Sequence, residues 1–150
     1  MKDLVFKAQL VEHLIKMQHT AIANVRKTME GAQEEANKYG VPKDQYDGFK
    51  DQQMRRKNMF AKQLNTAMKN LELLNNLDLK QLHNSVGFGT LVQTESAVYF
   101  VAIGIGIIEF QGEDVAVISM LVPLFHAMKG KKKGDDFSFN DEHHTIIQLI

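Results

Sequence analysis

The chain has 150 residues, of which 44% are apolar and 24% charged, the size and composition of one globular domain or two small ones. It contains no cysteine, which excludes disulfides, iron–sulfur clusters, zinc ribbons and thiol catalysis. Its formal net charge is zero, which argues against a protein whose whole surface neutralises nucleic-acid phosphates. No apolar run reaches about 18 residues and no secretory signal precedes the first helix, so we predict a cytoplasmic protein without a membrane span.

The two halves of the chain differ in charge and in glycine content. Up to Lys80 there are 14 Lys and Arg against 10 Asp and Glu, a net charge of +4, and after it 4 against 8, a net charge of −4. Glycine is sparse in the first part and frequent in the second. This contrast predicts a helical region followed by a sheet.

Two apolar stripes with alternating three- and four-residue spacing predict an antiparallel coiled-coil hairpin over residues 1–76. The first stripe contains Leu4, Ala8, Val11, Ile15, Ile22, Val25, Met29, Ala32 and Ala36, with Gln18 as its one polar interruption. The second contains Phe60, Leu64, Ala67, Leu71 and Leu74. Gly40 and Pro42 lie between them and favour a turn, so we predict helices from about Asp3 to Tyr39 and from about Asp44 to Leu74.

Residues 80–150 contain short segments with a period of two or short apolar runs, which indicate strands. The predicted strands cover residues 86–94, 96–105, 114–121, 135–140 and 144–150. One short helix is predicted from Pro123 to Lys129 and is ended by Gly130. The expected fold class is therefore α+β: a helical hairpin followed by a small sheet of four to six antiparallel strands over one short helix.

Three histidines and two acids near the end of the sequence invite a metal hypothesis: His126, His143, His144, Asp141 and Glu142. Neighbours on a strand point to opposite faces, so His143 and His144 cannot both ligate one ion without a bulge. Asn140 and Asp141 are instead typical of a hairpin turn. We therefore expect no metal site among these residues.

A run of three lysines, Lys131 to Lys133, lies between Gly130 and Gly134. Such a run is typical of a solvated turn, and contact with phosphate or an acidic partner is the alternative. No Ser/His/Asp set can be proposed from residue order, and the sequence contains no self-sufficient active site.

Asp44 and Asp47 stand three residues apart at the predicted start of the second helix, a spacing that places both carboxylates on one face. Both residues suit helix capping and the positive end of the helix dipole. Asp51 extends the same face. The alternative is that these hard oxygen ligands, carried at the tip of the hairpin, complete the coordination of a Mg²⁺ ion held by another protein.

Several segments resemble the bacterial Gre transcript-cleavage factors. Residues 123–135 are similar to the Pro-Leu-x-x-Ala-Leu-x-Gly-Lys-x-x-Gly-Asp signature in the C-terminal domain of that family, and residues 86–90 and 99–101 are similar to its opening strands. Residues 46–53, Tyr-x-x-x-Lys-Asp-Gln-Gln, resemble Tyr-x-x-x-Arg-Glu-Gln-Gln of the family's second helix. The N-terminal hairpin agrees with the family in length and order.

This resemblance implies an arm that enters the secondary channel of RNA polymerase and an FKBP-like C-terminal domain, residues 80–150, that docks on the channel rim. It implies a monomeric accessory factor, not an enzyme, which has no cofactor of its own and meets nascent RNA only indirectly. Asp44 and Asp47 would be the catalytic, metal-directed pair, acting on Mg²⁺ held by the polymerase, which then hydrolyses its own backtracked RNA. The partner-binding residues would be Pro123, Phe125, Lys131, Lys132 and Lys133.

The sequence departs from the family at both sites. Its tip is closer to a divergent pattern, Gly-Asp-x-Tyr-Glu, which carries Asp44 and Asp47 over, than to the usual Asp-Leu-x-Glu-Asn-x-Glu-Tyr. Leu121 and Val122 replace a polar pair before the signature proline, and Phe125 replaces a small residue. Two alternatives to a cleavage factor follow: a Gre-like protein that occupies the channel and inhibits or modulates without cleavage, and an FKBP-fold enzyme acting on prolyl bonds, which would need an apolar aromatic cleft.

Overall fold

The structure is a computed structural model that describes the backbone of residues 2–38 and 46–150, and the side chains of residues 2–31 and 48–150. Two long helices, α1 (Leu4–Lys38) and α2 (Tyr46–Asn75), precede a region of strands, which confirms the predicted order. The Asp3 carboxylate accepts a hydrogen bond from the Phe6 amide at 2.9 Å and caps α1. The predicted start of the second helix at Asp44 lies outside the described residues.

The chain divides into two compact units. The helical unit is Leu14–Glu72, and the sheet unit combines Met1–His13 with Leu73–Ile150. The predicted arm of residues 1–76 therefore spans the helical unit together with the first turns of α1, which pack with the sheet unit. None of the helices in the described part of the chain has an apolar stretch long enough to cross a bilayer.

The second apolar stripe lies where the sequence predicts it, with Ala67 and Leu74 buried and the rest half-buried. The first stripe differs in two respects. Leu10 and Leu14, which were not predicted to belong to it, are fully buried, whereas Leu4 is 38% exposed. Gln18 is also buried and does not interrupt the stripe, because its side-chain oxygen accepts a 3.5 Å hydrogen bond from the amide of Asn70 on α2. The Gln18–Asn70 hydrogen bond thus continues the contact between α1 and α2 where the apolar stripe has a polar residue.

Six strands form one sheet. In chain order they are β1 (Leu91–Thr94), β2 (Val98–Val101), β3 (Gly106–Phe110), β4 (Glu113–Ile118), β5 (Asp136–Phe139) and β6 (Glu142–Leu149). Their spatial order is β3-β4-β2-β1-β6-β5, and every neighbouring pair is antiparallel except β2 and β4, which are parallel.

The predicted antiparallel sheet therefore contains one parallel contact, between β2 and β4, and the connection after β2 explains it. The chain leaves β2, passes the position next to it and forms β3 at the edge of the sheet. It then returns as β4 into the space between them. Since the chain has reversed twice, β4 runs in the same direction as β2 when it lies beside it.

Two predicted strand boundaries are also corrected. Residues 86–90 form a turn, in which the Thr90 amide donates to the Gly87 carbonyl at 3.2 Å, and β1 begins only at Leu91. Strand β3 was not predicted. It is an edge strand in which Ile107 is 72% exposed beside the half-buried Ile108, so its sequence lacks the apolar–polar alternation that indicates a strand.

Helix α3 (Pro123–Met128) confirms the predicted short helix, and Gly130 follows it with a φ of +75°. Phe125 and Met128 point from α3 into the core of the sheet unit. The buried members of this core are Val86, Val92, Tyr99, Val101, Ile118, Phe125, Met128, Phe137 and Ile146. The core therefore fixes α3 and the segment that follows it on one face of the sheet.

Candidate functional site

The acidic pair at the predicted tip lies only partly within the described structure. Asp44 is outside the described residues, and Asp47 is the second residue of α2, with a side chain that is not described. Asp51, one turn further along, is exposed. The first turn of a helix favours negative charge, so the position of Asp47 suits a capping role as well as a metal-directed one. Both hypotheses for the pair remain predictions.

Pro123, the first predicted partner-binding residue, opens α3 and is exposed. Its fixed φ and missing amide hydrogen suit the first position of a helix. Two apolar residues of the preceding loop are also exposed: Met120 is 44% exposed and Leu121 is 87% exposed. We call Met120, Leu121 and Pro123, together with Lys132 and Lys133, the α3 surface.

The α3 surface contains two residues that we did not predict as functional, Met120 and Leu121, and lacks two that we did, Phe125 and Lys131. Leu121 is the more exposed of its two apolar loop residues, although sequence comparison marked it only as a departure from the family. Its signal was an apolar side chain at a position where the family has a polar one. Phe125, which we predicted to contact a partner, is 3% exposed and belongs to the core. Its side chain holds α3 against the sheet.

The lysine turn is held in place by backbone hydrogen bonds. The Val86 amide donates to the Lys131 carbonyl at 2.8 Å, and the Gly130 amide donates to the Val86 carbonyl at 3.0 Å. Lys132 and Lys133 are exposed, and Lys131 is half-buried. The turn therefore exposes the two positively charged side chains of Lys132 and Lys133 on a backbone that is held by hydrogen bonds.

The end of the signature motif has a structural explanation. The Asp135 carboxylate accepts a hydrogen bond from the Lys132 amide at 2.8 Å, and the Asp135 amide donates to the Lys132 carbonyl at 2.9 Å. Gly134 has a φ of +90° and donates its amide to the Ile146 carbonyl at 2.7 Å. The Gly-Asp pair thus closes the lysine turn and joins it to β6.

Within the described residues no three His, Asp or Glu side chains are grouped in a way that could hold a metal ion. Asn140 and Asp141 have φ values of +52° and +62° and form the predicted hairpin turn between β5 and β6. His143 pairs with Ser138 and His144 with Phe137, so the two rings point to opposite faces, as expected. His143 Nδ1 lies 3.1 Å from the Ser138 hydroxyl.

His144 lies between two carboxylates. Its Nδ1 is 4.0 Å from Glu95 Oε1 and its Nε2 is 3.8 Å from Glu142 Oε2, while the ring lies against Phe137 with centroids 5.1 Å apart. The Glu95 carboxylate accepts hydrogen bonds from its own backbone amide and from the Thr145 amide, the second at 2.8 Å. Both bonds lower the pKa of Glu95, and the first has the larger effect. The Glu95 carboxylate also faces the His144 imidazole. Through Thr145 and His144, Glu95 connects the turn after β1 to strand β6.

A second polar group, Lys7, is 1% exposed and donates from Nζ to the Ile150 carbonyl at 3.3 Å. Burial lowers its pKa to about 8, and the negative charge of Asp78 partly opposes that effect. The pKa of His83 is also lowered, mainly by burial and then by the positive charge of Lys7. These groups lie inside the sheet unit, so their role is structural.

No family model and no curated protein sequence matches the chain. Two solved structures are similar to it over most of its length. One is the crystal structure of GreA factor homologue 1 (Gfh1) of Thermus thermophilus, with 11% identity and a TM-score of 0.36, covering 95% of this chain and 93% of that chain. The other is a structure of the transcription factor Gfh1, with 13% identity and a TM-score of 0.34, covering 94% and 91%. Gfh1 is a homologue of GreA.

Proposed function

We propose that this protein is a Gre-like transcription elongation factor that binds RNA polymerase through its sheet unit and extends its helical hairpin into the secondary channel. At the tip, Asp44 and Asp47 complete the coordination of a Mg²⁺ ion held by the polymerase. The polymerase then hydrolyses its own backtracked RNA, and the factor acts without a cofactor of its own.

One observation carries this proposal. The segment that resembles the family signature, residues 123–135, folds as a short helix and a lysine turn, and it exposes Pro123, Lys132 and Lys133. Its buried members, Phe125 and Met128, anchor it to the core, and Asp135 closes the turn. The signature thus supplies a fixed and exposed surface of apolar and basic groups, which is suited to a protein partner.

The helical unit supports the other half of the proposal. Helices α1 and α2 run antiparallel, since Gln18 meets Asn70 while Met29, further along α1, shares a cleft with Lys57 and Phe60, further back on α2. The segment that connects them contains Asp44, and Asp47 follows at the start of α2. Carboxylates placed there could complete the coordination of an ion that a partner's active site holds.

The decisive experiment measures transcript cleavage by stalled, backtracked polymerase with the unmodified protein and with the Asp44→Asn/Asp47→Asn variant. Asparagine retains much of the capping ability of aspartate but loses the charge. We expect the variant to bind polymerase and melt as the unmodified protein does, and to lose most of the stimulation of cleavage. Asp114→Asn, which makes the same change at an exposed position on β4, is the matched control and should cleave normally.

Two results would contradict this role for the acids. If the double variant stimulates cleavage as well as the unmodified protein, the pair only caps the helix. If the unmodified protein binds polymerase but never stimulates cleavage, the protein occupies the channel and modulates or inhibits transcription instead. Failure of the protein to bind polymerase at all would reject the whole proposal.

A further inference from the structure

The helical unit contains a cleft of about 260 Å³ that the proposed function does not use. It lies between the two helices. Seven residues line this space, which we call the arm cleft: Met29, Lys50, Gln53, Met54, Arg56, Lys57 and Phe60. Lys50, Met54, Lys57 and Phe60 follow one another on α2 at steps of four, three and three residues, which place them along one face of the helix. Arg56 lies four residues before Phe60 and borders the same face.

The arm cleft has an apolar floor and a basic rim. Met29 and Phe60 are half-buried, and Met54 is 52% exposed, although it lies at the cleft. The three cations, Lys50, Arg56 and Lys57, are exposed. Among the side chains that the structure describes, none pairs with these cations, and none of the described lining residues is acidic. The cleft therefore carries three positive charges next to an unfilled apolar surface.

This arrangement selects its ligand by size and by charge. The volume is below the roughly 300–1,000 Å³ that is usual for sites of drug-sized ligands, so it suits one planar ring system and is too small for the several anchors of a bound helix. An aromatic ring and two methionine side chains provide a polarisable surface for stacking a planar base. Arginine and lysine at the rim suit phosphate oxygens.

We propose that the arm cleft binds a free nucleoside polyphosphate, with the base on Phe60 and the methionines and the phosphates on Lys50, Arg56 and Lys57. Bound in this way, the ligand fills the gap between α1 and α2 and neutralises the basic rim. It would stiffen the helical unit, because a ligand that binds only the folded form stabilises that form.

The structure supplies a matched control for this site. Arg55 is exposed and adjacent to Arg56 in sequence, but it does not line the cleft. Arg55→Gln and Arg56→Gln therefore remove the same charge from neighbouring positions, and only the second removes it from the proposed site. Phe60→Leu removes the aromatic ring and keeps an apolar residue in the stripe.

The test is titration calorimetry of the full chain, without polymerase, using ATP as the probe in a buffer with a metal chelator. We expect saturable binding of one ATP per chain and much weaker binding of adenosine and of tripolyphosphate alone. Arg56→Gln and Lys57→Gln should each weaken ATP binding about tenfold, as expected for the loss of a charge-assisted hydrogen bond. Arg55→Gln should bind within about twofold of the unmodified protein, by the usual small effect of an exposed charge.

Four outcomes would overturn the proposal: no saturable ATP binding, equal weakening by Arg55→Gln and Arg56→Gln, tripolyphosphate binding as tightly as ATP, or tighter binding of a single-stranded oligoadenylate, which would make RNA the occupant. Circular dichroism and the melting temperature establish that each variant is folded, and Arg56→Gln remains decisive if Phe60→Leu loosens the helices. Because no polymerase is present, this result is independent of the proposed function.

Discussion

Lys7 shows at the level of one residue how burial creates a pH dependence. Its ammonium group is enclosed in the sheet unit and has a pKa of about 8, well below the ordinary 10.5. Between these two values the unfolded chain binds more protons than the folded chain, so the free energy of unfolding rises as the pH rises. Below pH 8 both states are protonated, and the full cost of burying the charge is present.

Replacing Lys7 with methionine should remove this cost. The shift corresponds to at most about 3 kcal/mol, and the lost hydrogen bond to Ile150 offsets about 1 kcal/mol of the gain. We therefore expect Lys7→Met to be more stable at pH 7 by about 1–2 kcal/mol, with an advantage that disappears between pH 8 and 10.5. Urea unfolding across this range measures it, with Lys80→Met, at an exposed lysine, as the control. Parallel pH profiles for the two variants would refute the assignment.

Gly89 tests a second local constraint, a left-handed backbone close to a side chain. Its φ is +84°, and a Cβ at this position would lie 2.9 Å from Leu77 Cδ2. Gly89→Ala should lower the free energy of unfolding by roughly 1–3 kcal/mol. Gly112→Ala is the matched control, since Gly112 has a φ of +80° with no atom within 4 Å of the added Cβ. If thermal unfolding shows equal losses for both variants, the contact with Leu77 contributes nothing.

The turns of the edge hairpins show, at the level of elements, which parts of the fold could be predicted. Asn140 and Asp141 adopt positive φ readily, and the sequence alone therefore identified their hairpin. Gln111 also has a positive φ, of +52°, but glutamine is not typical of that conformation. The Gln111-Gly112 turn, and β3 before it, were missed for this reason.

Strand pairing was harder to predict than strand position. The parallel contact of β2 with β4 depends on the chain passing over one position of the sheet, a long-range choice that no local spacing reports. The candidate site divides in the same way. Helix α3 and its lysine turn followed from Pro123, Gly130 and Gly134, whereas the burial of Phe125 and the exposure of Leu121 depend on how α3 packs against the sheet.

The α3 surface makes the function testable through one side chain. Leu121 is 87% exposed, so Leu121→Ser should leave the stability unchanged. If the proposed docking is correct, the loss of a leucine buried at the interface should weaken polymerase binding about tenfold, because such burial contributes about 1.5–3 kcal/mol. Ile107→Ser, at the exposed edge of β3, makes a similar change outside the surface. Equal affinity of the two variants in a competition assay would exclude Leu121 from the interface.

At the level of the whole molecule, the sheet unit is assembled from both ends of the chain. Phe6 packs edge-on against Phe110 with centroids 5.5 Å apart, and Lys2 forms a 2.7 Å ion pair with Glu113. The Lys2 amide also donates to the Gln148 side chain at 3.1 Å. The start of α1 is thereby joined to β3, β4 and β6.

A double-mutant cycle on Phe6 and Phe110 measures this connection. Phe6→Ala and Phe110→Ala should each be destabilising, and the pair should show a coupling energy of about 0.5–1.5 kcal/mol, as aromatic pairs do. Chemical denaturation of the four proteins gives the value. Lys62→Ala combined with Phe110→Ala is the control and should be additive, since Lys62 belongs to the helical unit. A coupling energy of zero for the aromatic pair would mean that the two rings meet without stabilising the fold.

The contact of Lys7 with Ile150 joins residues 143 positions apart, and it has a consequence for synthesis on the ribosome. The residues of the helical unit emerge together and can pair while translation continues, since domains fold as units during synthesis. The first turns of α1 cannot reach their final partners until β6 has left the exit tunnel. Lys7 must therefore remain without this partner until β6 and Ile150 have been made.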